Sequence, residues 1–142
     1  MSTATVIYIS MPHLNECIDR FPNVGLALDM CLLAEVRRLR EWLLNIGGRD
    51  GQSRVANFIN EFASRTKLRG ISDGISFDMP ISQELIGNAV GMTAVHVNRI
   101  LKRLVADNLI QYKDRGYKIL DLHRFQDVGQ FTGNYILRGK ND

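Results

Sequence analysis

The sequence predicts a mainly helical fold with small β-hairpins, of the α+β class, and three observations carry that prediction. The first is the run from Ile81 to Leu101, where apolar residues recur every three to four positions on either side of Gly91. The second is a pair of alternating segments, Leu109 to Lys113 and Tyr117 to Leu120, separated by Asp114-Arg115-Gly116. The third is a long helical stretch opened by Pro22 and stopped at Gly47-Gly48. They describe two short helices joined by a glycine turn, a hairpin behind them and a long helix in front.

In chain order, Val6 to Ile9 reads as a short strand. Ser10 caps a helix that carries Pro12 in its first turn and ends near Arg20. Pro22 then opens a helix to about Ile46, a rod of about 37 Å at about 1.5 Å per residue. Along it Leu32, Val36, Leu39, Leu43 and Ile46 recur at alternating steps of four and three, the seam of a coiled coil. Leu28, Leu33, Trp42 and Leu44 widen the stripe, so this helix also packs on its own domain or its partner's. An ordinary core helix has the same spacing over so short a run. What favours a dimer is the motif beside it, because two-fold proteins read palindromic DNA.

A further helix spans about Gly51 to Arg65, with Val55, Phe58, Ile59 and Phe62 as its core face. Thr66 to Met79 reads as a turn and a strand around Ile75-Ser76-Phe77, leading to Pro80. Ser82 caps the next helix, whose inward positions are Leu85, Ile86, Ala89 and Val90. Gly91 supplies a left-handed turn that a residue with a Cβ resists. Thr93 caps the second helix, with Val97, Ile100, Leu101 and Leu104 inward and Ala94, Val95, His96, Asn98 and Arg99 outward or sideways. This is a helix-turn-helix, which lays its second helix in the major groove of DNA. The hairpin behind it is a wing. After Asp121 a short helical stretch around Leu122 to Phe125 leads to Phe131, Tyr135, Ile136 and Leu137, which close the core.

Charge agrees with that reading. The chain of 142 residues has a formal net charge of +3. From Arg99 to Lys118 the basic residues are Arg99, Lys102, Arg103, Lys113, Arg115 and Lys118, against Asp107 and Asp114. A local positive excess on helix and wing is the footprint expected opposite a phosphate backbone.

Other classes fare poorly. No stretch approaches the roughly 20 apolar residues of a membrane span, and Met1 to Thr5 lacks the basic start of a secretory signal. A cytoplasmic protein is expected. Cys17 and Cys31 fall on predicted helices, where a small buried apolar role is expected for each. His13 and Cys17, four apart, share a helical face but have no second ligand pair, so no metal and no cofactor are expected. No nucleophile has a base at motif spacing, and no glycine-rich phosphate loop follows a strand. Ser53 and Ser64, near arginines, read as helix-surface residues. The chain is not expected to be an enzyme.

These segments together resemble the C-terminal half of the Crp/Fnr family of bacterial transcription regulators. The resemblance covers nearly the whole chain and is most specific at Val95-His96-Val97-Asn98-Arg99-Ile100-Leu101-Lys102-Arg103-Leu104 with Asn108-Leu109-Ile110. It implies a dimerisation helix followed by a winged helix-turn-helix, with Val6 to Ile9 as the last strand of a preceding β-roll. Most of that roll has no counterpart in this sequence, so no cyclic-nucleotide site, haem ligand or oxygen-sensing cluster is expected in it. Carried over residue by residue, Ser82, Gln83 and Thr93 touch phosphates and Arg99 reads a guanine through O6 and N7. The family's frequent glutamate at the position of Val95 and occasional arginine at that of Ala94 are absent. Val95 can instead meet a thymine methyl, and His96 a base edge or phosphate.

The resulting expectation is a dimerisation arm over 1–48 and a winged helix-turn-helix domain over 49–142. Its DNA-facing residues are Ser82, Gln83, Thr93, Ala94, Val95, His96, Asn98, Arg99, Lys102, Lys113 and Arg115. Its dimer interface is Leu28, Leu32, Val36, Leu39, Leu43 and Ile46. The expected partners are double-stranded DNA, a second copy of the chain and RNA polymerase. The rival reading is a dimerisation or protein-interaction module that has lost operator binding.

Overall fold

The computed structural model describes residues 5–136. The chain divides into two units, Met1–Arg37 and Arg38–Asp142, and the division falls inside the long helix.

In the first unit, residues 5–10 form no strand, against the expectation for Val6 to Ile9, and the four apolar side chains there stand in solvent. A strand is stable only when its backbone N–H and C=O groups find a ladder partner, and none is present for this segment among the described residues. Helix α1 covers Met11–Arg20, with Ser10 at its N-cap position and proline in its first turn. The Ser10 hydroxyl bonds to His13 Nδ1 at 2.6 Å and makes no cap bond to a backbone N–H. Helix α2 follows from Pro22 to Gly48, running through both glycines that were expected to stop it. Cys31 on α2 is exposed and Cys17 on α1 only half-buried, so neither has the buried role expected of it. Among the described residues of this unit there is no core for them to enter: no residue of α1 is buried, and the sole buried residue of α2, Asn45, lies in the second unit.

The second unit holds the core. Helix α3 (Gly51–Leu68) is capped by Asp50, whose carboxylate accepts the Ser53 N–H at 2.8 Å. Its Val55, Ala56 and Ile59 are fully buried, whereas Phe58 and Phe62 are partly buried and pack against the core. Ser53, expected on the surface, is buried at that cap. Strand β1 (Ser76–Asp78) is followed by α4 (Gln83–Val90), α5 (Ala94–Ala106), β2 (Ile110–Lys113), β3 (Gly116–Ile119) and α6 (Leu122–Gly129). The strands form an antiparallel sheet in the order β1-β3-β2, with Phe77 opposite Tyr117 and Tyr112 opposite the same Tyr117.

Helix α6 lies against α3 at a close approach. A Cβ on Gly129 would stand 2.9 Å from the backbone nitrogen of Asn57, so only glycine fits. The buried Asn57 donates to Gly129 O at 2.9 Å, and the buried Asn60 donates to Ala56 O and Phe125 O at 3.0 and 3.1 Å. The Gly129 carbonyl is a helix-end acceptor that α6 alone would leave unpaired in the interior. Past α6, Phe131 and Tyr135 are buried and Ile136 half-buried, while Leu137 lies outside the described residues. The Tyr135 hydroxyl donates to the buried Glu61 at 3.0 Å, and Arg65 pairs with the other oxygen of that carboxylate at 2.8 Å. Burial and the adjacent carboxylate raise the Tyr135 hydroxyl above the usual tyrosine range, so it remains a donor.

Candidate nucleic-acid interface

Helices α4 and α5 owe their boundaries to local chemistry. The Leu85 N–H donates to Ser82 Oγ at 3.2 Å, and the His96 N–H donates to Thr93 Oγ1 at 3.3 Å. Each hydroxyl uses an acceptor site on its helix and keeps its own hydrogen, the group an anion accepts. Gly91 ends α4 in the left-handed conformation at φ 70°. Four positions earlier, Gly87 is buried where a Cβ would collide with the backbone carbonyl of Met92, so the turn folds tightly back over α4. The Met92 N–H donates to the Gly87 carbonyl at 2.8 Å across the same approach. Nothing in periodicity singled out Gly87. The one local signal was a glycine inside a strongly helical octet, where it weakens the helix unless close packing requires it.

The inward face of α5 is the expected one: Val97, Leu101 and Leu104 are fully buried and Ile100 nearly so. On α4, Ile86 and Val90 are buried, but Leu85 is exposed and not inward as expected. With α4 only eight residues long and held by a single face, the position beside the buried pair turns to solvent.

The outward face of α5 carries the predicted readers. Val95 is 73% exposed, Arg99 and Lys102 are exposed, Ala94 and Asn98 are half-buried. Arg99 forms no ion pair or hydrogen bond among the described residues, so no acidic side chain of the domain holds it. Arg103 reaches Asp107 at 3.9 Å, an exposed pair worth about 0–1 kcal/mol. Asn98 and Gln83, both predicted to face a nucleic acid, meet each other: Asn98 Nδ2 donates to Gln83 Oε1 at 3.0 Å and ties α5 to α4. His96 is exposed with Nε2 turned back towards the start of α3, 3.5 Å from where a Cβ on Gly51 would stand.

The wing follows directly behind α5. Asn108 takes the left-handed conformation (φ 55°) after α5, and the Leu109 N–H returns to Leu104 O at 3.0 Å. The two-residue turn opens on Asp114 at φ 57°, a conformation aspartate tolerates. Lys113, Arg115 and Lys118 are exposed. Beneath them Tyr112 stacks on Tyr117 at 5.7 Å, Tyr117 on Phe77 at 5.9 Å, and Phe77 packs on Phe62 at 5.9 Å. Burial, with Tyr112 beside it, pushes the Tyr117 hydroxyl up to about 12. With β3 paired on both edges, the hairpin is anchored in the sheet and presents its basic residues to solvent.

The seam residues of α2 are solvent-facing. Leu39 and Leu43 in the second unit are 54% and 72% exposed, and Ile46, Leu28, Leu32 and Val36 are exposed as well. Among the described residues there is no group of three or more metal-ligating side chains, and no helix is long and apolar enough to cross a membrane.

Comparison with known proteins gives a consistent result. The model of the Crp-like helix-turn-helix domain matches residues 37–128. The chain is 25% identical over 122 residues to the transcriptional regulatory protein btr of Bordetella pertussis, covering 86% of this chain and 50% of that protein. It is 28% identical over 108 residues to the transcriptional activator protein FnrL of Cereibacter sphaeroides, covering 74% of this chain and 44% of that one. The chain thus spans about half the length of the curated relatives it matches. Among solved structures it is similar to FixK2 from Bradyrhizobium japonicum, with a TM-score of 0.71 at 20% identity over 84% of this chain and 59% of that one. A transcriptional regulator of the CRP family from Thermus thermophilus gives a TM-score of 0.57 at 18% identity over 86% of this chain and 56% of that one. At these identities the structural likeness is one of fold.

Proposed function

The chain belongs to the family of Crp-like helix-turn-helix domains, and from that membership we propose that it is a DNA-binding transcription regulator that grips a palindromic operator as a homodimer. Residues 93–104 enter the major groove, residues 49–142 form the DNA-binding domain and residues 1–48 the dimerisation arm. The observation that carries the reading is Arg99: an exposed guanidinium without a partner among the described residues, about one and a half turns beyond a phosphate-ready N-cap at Thr93. Ser82, Gln83, Lys102, Lys113 and Arg115 surround it with phosphate donors. Val95 supplies an apolar contact for a thymine methyl, and Ala94, His96 and Asn98 complete the reading face. Relatives named as transcriptional regulators and activators support the regulatory role; a non-enzymatic, cytoplasmic protein with RNA polymerase as a further partner completes the proposal.

Arg99→Lys tests the reader. The planar fork of arginine takes both acceptors of one guanine, an interaction worth about 1–3 kcal/mol of discrimination, and lysine keeps the charge without the fork. Selection from a random duplex library should recover inverted repeats about one helical turn apart with the native protein. With Arg99→Lys, stringency should fall at one base pair per half-site while non-specific affinity hardly changes. Recovery of an unchanged motif would make some other side chain the reader.

Salt tests the phosphate contacts. Lys102, Lys113 and Arg115 from two protomers give a slope of log affinity on log salt of about −5. Lys113→Ala should reduce that slope by about 2 and weaken all sequences about equally. An affinity that stays flat between low and physiological salt argues against this arrangement.

A further inference from the structure

The junction between α2 and α3 holds a charge network that none of the DNA-facing roles requires. Arg49 lies between the two helices with its side chain only 9% exposed. Its Nη2 donates to Glu41 Oε2 on α2 at 3.2 Å and to the carbonyl of Gln130, the left-handed residue that ends α6, at 3.0 Å. Nη1 makes a longer contact of 3.5 Å with Oδ1 of Asn45, itself buried on α2. The carbonyl of Arg49 in turn accepts from Arg54 Nε on α3 at 2.8 Å. The guanidinium of Arg54 reaches the helix-turn-helix: its Nη1 would stand 4.0 Å from a Cβ on Gly91. Beside it, Gly51 packs under Ile100 and His96 of α5, where a Cβ would be 3.3 and 3.5 Å from them. One buried arginine and its backbone thus connect α2, α3, α6 and the turn that aims α5.

Burying a guanidinium costs free energy that its partners only partly offset, and the Arg49 Nε is left without a hydrogen-bond partner. A well-packed apolar residue can hold a helix junction with equal stability, so stability alone does not explain the arginine. What a planar, multidentate cation adds is direction: it bonds partners on two helices at fixed angles. Direction matters because α2 carries the seam residues Leu39, Leu43 and Ile46 while α5 carries Arg99. In a two-fold dimer the angle between them sets how far apart the two reading helices stand. We propose that Arg49, through Glu41 and the Gln130 carbonyl, is the positioning residue that sets the half-site spacing this protein accepts. The proposal rests on the reading of the chain as a dimeric operator binder.

The test uses the inverted-repeat duplex recovered by the native protein from a random library, with zero, one or two base pairs inserted or deleted between half-sites, and a duplex carrying a single half-site. Each base pair shifts the half-sites by about 3.4 Å along the axis and rotates one relative to the other, a mismatch a rigid dimer does not absorb. The native protein should lose at least about 10-fold in affinity per inserted base pair. Arg49→Met, and the milder Glu41→Gln, should flatten that spacing preference to about 3-fold or less. Their single-half-site affinity should stay within about 2-fold, and their dimerisation and circular dichroism should match the native protein. Arg49→Lys, whose ammonium can donate to both partners but lacks the fixed planar angles of the guanidinium and its further contact to Asn45, should fall between. If Glu41→Gln and Arg49→Lys, both folded, keep the full native preference, Arg49 is structural only and the inference is overturned. If the native protein itself shows no spacing preference, the dimeric operator reading fails first, which is a distinct result.

Discussion

Leu39→Asp is expected to turn the protein into a monomer and to lower its affinity for inverted-repeat DNA by about 100-fold to 10,000-fold, the loss of a second tethered binding event. The residue is 54% exposed in the single chain and sits midway along a stripe formed by Leu32, Val36, Leu43 and Ile46. Apolar area left in water at every turn of one helix marks an interaction surface, which the proposed function assigns to a second copy of the chain. A carboxylate at the centre of that stripe would have to be buried without a partner in the dimer, which costs far more than the leucine contacts it removes. Because the substitution points away from the second unit's core, the monomer should keep its helical circular dichroism and its weak affinity for one half-site. Sedimentation velocity at micromolar concentration, with binding measured on the same samples, checks both halves. A native chain that remains monomeric there removes the dimer from the account.

Gly87→Val should unfold or severely loosen the DNA-binding unit, at a cost of about 3 kcal/mol or more from overpacking against backbone that cannot rotate aside. The clash is with the carbonyl of Met92, in the turn between α4 and α5. A side chain there levers the two helices apart and separates Gln83 from Asn98. Set against a typical total stability of about 5–15 kcal/mol, that loss is decisive at physiological temperature. Gly47→Ala is the matched control. Gly47 lies near the end of α2 with nothing within 4 Å of its added Cβ. Removing a helical glycine there should raise stability by about 0.5–1 kcal/mol. Chemical denaturation of the two variants and the native protein compares them directly; equal midpoints for Gly87→Val and the native chain would mean that α4 and α5 do not meet as closely as the geometry demands.

How much of this was legible in the sequence depended on how local each cause is. The helix-turn-helix was legible because Ser82 and Thr93 cap by bonding a backbone N–H three residues on, and Gly91 needs only its own φ. The buried face of α5 followed from helical period alone, and the wing from alternation on either side of Asp114-Arg115-Gly116, of which the structure takes Gly116 into β3. Arg99 and the basic wing could be named from spacing and charge, since an exposed cation depends little on what packs behind it.

Tertiary structure decided whatever depends on a second element. Val6 to Ile9 have strand chemistry but no ladder partner among the described residues, so they form no strand. Cys31 and Leu85 are apolar by composition yet exposed, because burial belongs to the neighbour as much as to the residue. Gly87 and Gly129 are required by the close approach of other backbone, which no periodicity reports. The buried Asn45, Asn57, Asn60 and Glu61 look like surface residues in a linear reading and become interior where a carbonyl, a hydroxyl or a charged group from elsewhere in the chain meets them, and the half-buried Arg49 is drawn in the same way. Local chemistry thus determined which helices and turns form. Only the packing of one against another decided which of their polar groups could leave water, since burying a donor costs free energy that a partner within hydrogen-bond reach offsets.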